Sequence, residues 1–343
     1  MTTSKARKIL LNALLYAALV GLLWWALRNV PLADLWEALT RLRFWQIALL
    51  LALNALVILL MTARWWIIVR AEKRDAPFWR LVGYRLSAFG LSYFTPGPQV
   101  GGEPWQVIAL RKYHGLTYAR ATAAVIMDKL IEFLVNFLLL AAGAWAVFRV
   151  GLIPDNGSSP LVSLIGLGVL LSWPLVHIIL MYHRILPVSA VLRAQPFIPK
   201  TSKSIRLLLA AERMAAGFCQ RRLRALLAAA GVSLLAVLGI AAEYALMASF
   251  LGMRLTAAQT LAALTALQLA FLMPLPGGLG ALEASQVFAL GAFGQPASAA
   301  IGLTLLQRAR DLLNGGLGLL LAGRGFAAGG APQTRSQPGD ERP

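Results

Sequence analysis

Thr95-Pro-Gly-Pro-Gln-Val-Gly-Gly-Glu-Pro-Trp-Gln-Val-Ile-Ala-Leu110 aligns without a gap on Leu275-Pro-Gly-Gly-Leu-Gly-Ala-Leu-Glu-Ala-Ser-Gln-Val-Phe-Ala-Leu290, at an offset of 180 residues. The coincident pairs are Pro96/Pro276, Gly97/Gly277, Glu103/Glu283, Gln106/Gln286, Val107/Val287, Ala109/Ala289 and Leu110/Leu290. Seven identities in sixteen columns mark an internal duplication, and the same offset carries the apolar run near 44–69 onto the one near 225–251. Prolines 96, 98, 104, 274 and 276 remove backbone donors, while Gly97, Gly101, Gly102, Gly277, Gly278 and Gly280 permit tight reversals. Each copy therefore reads as a broken helical hairpin.

The surrounding composition says which solvent these breaks face. Of 343 residues, 59% are apolar and 13% charged, with a mean hydropathy of +0.69. Soluble domains carry about 25% charge, so a water-soluble enzyme is close to excluded. Runs near 9–27, 44–69, 121–148, 161–182, 225–251 and 297–322 each approach or exceed the roughly 20 residues that cross a bilayer core. The expected fold is all-α: six full transmembrane helices plus two Pro/Gly-broken re-entrant hairpins. Residues 1–150 form a first membrane repeat, 151–323 a second, and 324–343 a disordered cytoplasmic tail.

Lys and Arg outnumber Asp and Glu by 32 to 14, a net charge of +18. In a membrane chain this reports basic loops held on the cytoplasmic side rather than a nucleic-acid partner. The segment 183–224 concentrates Arg184, Arg193, Lys200, Lys203, Arg206, Arg213, Arg221, Arg222 and Arg224 against Glu212 alone. It is expected as a cytoplasmic loop near anionic lipid headgroups, with docking of a lipid-synthesis enzyme as the other reading. The loop 151–160, with Asp155 and no base, then falls outside, and both termini fall inside. Under this topology the two copies enter the bilayer from opposite faces, the inverted-repeat arrangement of transporters whose substrate sites lie between the halves.

Cys219 stands alone, His114, His177 and His183 have no ligand spacing, and no GxxxxGK stretch occurs. The sequence thus supplies neither a disulfide nor a metal site, and no cofactor is expected. The candidate chemistry lies in charges at membrane depth, which are expensive to bury and mark function by default. Glu103 and Glu283 open the second arm of each hairpin, where a carboxylate caps free amides and meets the positive helix end. Asp128 and Glu132 share a helix face, as do Arg308 and Asp311. The offset places Asp128 on Arg308, so the expectation is that Asp128 and Glu132 meet Arg308 near a pseudo-twofold axis. Such a network could couple protons, grip an anionic headgroup, or simply hold the halves together. Arg64 is expected to snorkel to the interface, Glu243 has no obvious partner, and Gln268 and Asn314 are lesser candidates. Gly315, Gly316 and Gly318 suggest close helix packing.

These residues carry a resemblance. Thr95-Pro-Gly with Gly101-Gly102-Glu103, then Asp128-Lys129-Leu130 and Glu132, then Pro274-Leu-Pro-Gly-Gly-Leu-Gly-Ala-Leu-Glu283, then Arg308 and Asp311, resemble the flippase-like integral membrane family that includes the membrane region of lysylphosphatidylglycerol synthase. The resemblance reaches to about Gly323, with Pro-Gly-Gly-Leu-Gly-x-x-Glu at 276–283 its most specific piece. It implies a bacterial inner-membrane lipid translocase whose Gly-Glu and Pro-Gly segments are the functional core. The lipid it implies is a phospholipid, a glycolipid or a hopanoid. About twenty residues follow the last span, so no soluble aminoacyl-transfer domain is expected and a transporter-like role is preferred over catalysis. Pro104-Trp105 departs from the basic residue that relatives often place after the first Gly-Glu.

Overall fold

The computed structural model describes residues 36–37, 39–40, 42–94, 101–150, 160–194, 202–271 and 280–328. Eleven helices account for nearly all of these, and no strand occurs among them. They are α1 (Phe44–Glu72), α2 (Phe78–Phe94), α3 (Glu103–His114), α4 (Tyr118–Arg149), α5 (Pro160–Tyr182), α6 (Pro187–Ala194), α7 (Lys203–Arg221), α8 (Leu223–Phe250), α9 (Ala257–Phe271), α10 (Ala281–Gly291) and α11 (Ala297–Ala328). Shifting α1–α4 by 180 residues lays each helix start within two residues of the starts of α8–α11. The duplication read from sixteen columns therefore extends to a unit of four helices.

Among the described residues, three helices are long and apolar enough to cross a membrane: Phe44–Glu72, Tyr118–Val147 and Leu223–Phe250. Large apolar side chains stay exposed along them, among them Leu51, Leu56, Leu138, Leu234 and Leu238, as expected where hydrocarbon is the solvent. α3 and α10 are different. At about 1.5 Å per residue they reach about 18 and 16 Å, well short of the roughly 30 Å of a hydrocarbon core.

The two units interlock. α1 lies along α8, with Trp45 against Phe250 (ring centroids 5.4 Å apart), Val57 beside Gly239, and Arg64 bonded to Ser233. Numbers rise along one helix as they fall along the other, so the two equivalent helices are antiparallel. α2 packs on α11, and its counterpart α9 packs on α4, the counterpart of α11. Each unit thus lends the same element to the other, as a pseudo-twofold relation requires.

Glycine makes the α2–α11 contact possible. A Cβ on Gly90 would lie 2.6 Å from the Gly315 carbonyl oxygen, and one on Gly318 would lie 2.0 Å from that of Leu86. Backbones meet directly there, as small-residue interfaces in membranes allow. Gly316 faces open space.

Two large apolar cores result, with a small cluster of Tyr93, Phe94 and Leu319 between α2 and α11. One joins α1–α4 with Ile178 and Met181 of α5, the Ala211–Cys219 face of α7 and the start of α8. The other joins α8–α11 with Leu42 and Leu50. The basic segment 183–224, expected as a loop, instead holds α6 and α7, because Ala211, Ala215, Ala216, Phe218 and Cys219 give α7 an apolar face. α11 runs through Arg324 to Ala328, past the expected start of the tail. The first expected span, the loop 151–159 and both hairpin tips (95–100 and 272–279) lie outside the described residues.

Candidate functional site

Glu103 and Glu283 occupy matching places and do matching work. The Gly101 N–H donates to Glu103 Oε2 at 2.9 Å, and the Gly280 N–H donates to Glu283 Oε2 at 3.0 Å. Each carboxylate therefore satisfies an amide just before a short helix that cannot find an intrahelical acceptor. The other oxygen reaches the following long helix. Glu103 Oε1 lies 3.3 Å from Lys129 Nζ on α4, and Glu283 Oε1 accepts from Arg308 Nε on α11 at 2.6 Å. The glycine approach is equally tight: a Cβ on Gly102 would stand 2.0 Å from the Ala88 carbonyl oxygen, while its N–H donates to Ser92 Oγ at 2.8 Å. Stacking of Tyr84 on Tyr113 pins the far ends of α2 and α3, so the two form a hairpin.

Behind Glu103 lies a dense web. Arg64 Nε donates to Asp128 Oδ1 at 2.7 Å, and Arg64 Nη2 donates to Asp128 Oδ2 at 3.1 Å and to Glu132 Oε2 at 2.5 Å. Arg85 reaches the same two oxygens at 3.0 and 3.4 Å. Lys129 closes the web on Glu132 Oε1 at 3.2 Å. Arg64 and Asp128 are each 1% exposed. Charges so buried persist only when paired and hydrogen-bonded, and here three cations meet three carboxylates.

The second unit has a sparser version. Arg310 Nη1 donates to Glu243 Oε2 at 3.0 Å, and Arg310 also holds Asp311 at 2.8 Å. Glu243 Oε1 is buried without a hydrogen-bond partner among the described residues, as are Gln268 Oε1 and Gln307 Oε1. Nearby, the Tyr244 hydroxyl donates to Gln286 Oε1 at 2.5 Å, and Gln286 Nε2 donates to the Ala263 carbonyl. Asn314 is buried on α11.

Several expectations need correcting. Asp128 and Glu132 are held by Arg64 and Arg85, not by Arg308, which is paired with Glu283. The shared face of Asp128 and Glu132 is real, since one guanidinium grips both. Arg64 does not snorkel, because α4 offers it two carboxylates that no interface could match. Glu243 does have a partner, Arg310. Asp311 pairs with its neighbour Arg310. Arg85, on α2, carries no expectation from the sequence, since the stretch around it is shorter and more broken than the long apolar runs. A signal existed: a one-residue tolerance in the offset sets Arg64 against Glu243, and Asp128 within two positions of Arg310, equivalent helix pairs with signs reversed. Gly101, Gly102, Glu103, Gly280 and Glu283 fall together with Lys129 or Arg308 as described. Pro96, Gly97, Pro276, Gly277 and Gly278 lie outside the described residues. No group of three or more metal-ligating side chains occurs among the described residues.

A search of curated proteins finds no match for the chain. The model of the lysylphosphatidylglycerol synthase TM region, however, matches residues 9–318. That span holds the first four-helix unit, the second as far as Gly318 and every ion pair above, and the chain belongs to this membrane-region family.

Proposed function

We propose that the chain moves an amphipathic lipid between the leaflets of a bacterial inner membrane without altering it covalently. The observation that carries this reading is the antiparallel pairing of α1 with α8, together with a Gly-Glu helix start in each unit gripped by a cation of the next long helix. Antiparallel equivalents support hairpins that enter the bilayer from opposite faces. Their short second arms suit re-entrant hairpins, and irregular backbone at depth needs a protein or water-lined path to satisfy it. A headgroup crossing about 30 Å of hydrocarbon needs such a path, since each unsatisfied polar group costs several kcal/mol there. The charge clusters supply polar walls at two depths. By residue count along the paired helices, Arg64 and Glu243 lie on opposite sides of the α1–α8 crossing, each about 8–9 Å from it.

Reconstitution into liposomes with leaflet-labelled phospholipid, glycolipid or hopanoid-type lipid tests the reading. Leaflet exchange of an unchanged lipid supports it. A new lipid species points instead to a membrane-embedded enzyme, and silence in both assays points to a partner of a lipid-synthesis enzyme. Cysteine accessibility at positions 97 and 277 tests the architecture: labelling from opposite compartments is expected, and labelling from the same one overturns it.

A further inference from the structure

The basic segment folds into something more definite than a charged loop. Two adjoining hollows, of about 260 and 330 Å³, flank the C-terminal half of α7 and share Arg213, Gly217 and Arg221. Arg184 completes the first, and Arg120, Arg222 and Glu72 line the second. Gly217 leaves their common floor open, with nothing within 4 Å of where a Cβ would stand.

The charges there do not balance. Glu72 lies 3.7 Å from Arg120. The hydrogen bonds of Arg184 and Arg213 go to neutral oxygens, those of Gln220 and Leu209. None of Arg184, Arg213, Arg221 and Arg222 pairs with a carboxylate among the described residues. Glu212, the one acid of the segment, faces the other way and accepts the Val188 and Ser189 amides at the start of α6. Four guanidiniums gathered without a counter-ion repel one another unless an anion joins them, and the planar guanidinium fork suits phosphate.

Position names the source of that anion. All three apolar spans have an end here: α1 stops at Glu72, α4 begins two residues before Arg120, and α8 begins at Leu223, beside Arg222. The hollows therefore lie at the headgroup level of any membrane these helices cross. Met214, which lines the second hollow, and Leu223 and Leu227 in the first turns of α8 are exposed and apolar, a surface for acyl chains.

We propose that the two hollows bind the phosphate of an anionic phospholipid from the surrounding leaflet. This inference rests on the helices spanning a membrane and holds whether or not the chain translocates lipid. Native mass spectrometry of the purified full chain, carrying phosphatidylglycerol or phosphatidylcholine, tests it. Wild type should retain phosphatidylglycerol preferentially, and R213Q/R221Q should weaken that preference by about tenfold or more, since charge-assisted bonds are lost. R254Q, just beyond the far end of α8, should leave it unchanged. Should the glutamine variant fail to fold, R221K keeps the charge, loses the fork, and is expected to fall between. Retained preference in R213Q/R221Q overturns the proposal, as does an equal loss in R254Q, which would mean diffuse charge. So does a wild type that ignores lipid identity while inorganic phosphate raises its melting temperature, which would mean a free-anion site.

Discussion

In α1–α4 the buried charges form a shared web, whereas in α8–α11 they form a chain of pairs. Asp128 and Glu132 each accept from Arg64 and Arg85, and Lys129 ties Glu132 to Glu103. In the second unit two arginines serve three carboxylates, and one oxygen of Glu243 stays without a hydrogen bond among the described residues. Equivalent helices thus carry opposite signs: cation on α1 and anion on α4, anion on α8 and cation on α11. A duplicated fold needs an ion pair at this crossing but not a particular polarity, because the attraction is the same whichever helix holds which charge. What differs is redundancy, and redundancy decides what a mutation strands.

The contrast breaks most sharply at Asp128. D128N leaves two buried guanidiniums with only Glu132 between them, and removal of one buried partner costs about 3–5 kcal/mol. The expected result is a severe fall in melting temperature of the detergent-purified protein, followed by size-exclusion chromatography after heating. Recovery in R64Q/D128N, but not in R308Q/D128N, would confirm that Arg64 rather than Arg308 is the partner.

Next in size is the seam between units. G318V forces a side chain into the α2 backbone, and overpacking of this kind costs about 1–3 kcal/mol. G316V, facing open space, should melt as wild type does. A similar loss in both variants would show that the seam is not the cause.

E243Q should be milder than D128N, about 1 kcal/mol, because Arg310 keeps Asp311 and the orphaned oxygen loses nothing. A loss as large as that of D128N would erase the contrast between web and chain. E103Q should cost about 1 kcal/mol, since Lys129 keeps Glu132, and E283Q more, since the deeply buried Arg308 loses the carboxylate it is paired with. In the liposome assay both should also slow leaflet exchange. A stability change confined to one of them would mean that the two hairpin starts are not equivalent.

The smallest effect concerns His114, at the end of α3 where Lys73 donates to its carbonyl. Burial, helped by Arg80 and Lys73, pushes the imidazole below its ordinary value of 6.5. The unfolded chain then takes up the proton more readily, so stability should decline as pH falls through 6.5 and below. Melting curves between pH 7.5 and 5.5 should show this decline in wild type and lose it in H114Q. An identical slope in the two would assign it elsewhere.

Much of the architecture was legible in the chain itself. Apolar runs near 44–69, 121–148 and 225–251 became α1, α4 and α8, because a helix in hydrocarbon must satisfy its own backbone and needs little from its neighbours. Glu103 and Glu283 were legible as helix-start residues, since their partners are amides only two or three positions away. The basic segment was read by charge alone, and its α7 was hidden by alanines that announce a buried face only when α4 is beside them. Arg64 was misread for a related reason: an arginine eight residues from a helix end looks the same whether it reaches for water or for a carboxylate on another helix.

The sequence alone determined that this is a duplicated, helical, membrane-type chain with punctuated hairpins, because periodicity, proline and glycine act locally. Only the tertiary structure decided which charges meet, which unit holds them redundantly, and where the arginines converge. Most of those charged partners lie 25 to 68 residues apart along the chain, and a buried charge takes its meaning from whatever opposite charge or dipole the fold places within about 3 Å of it.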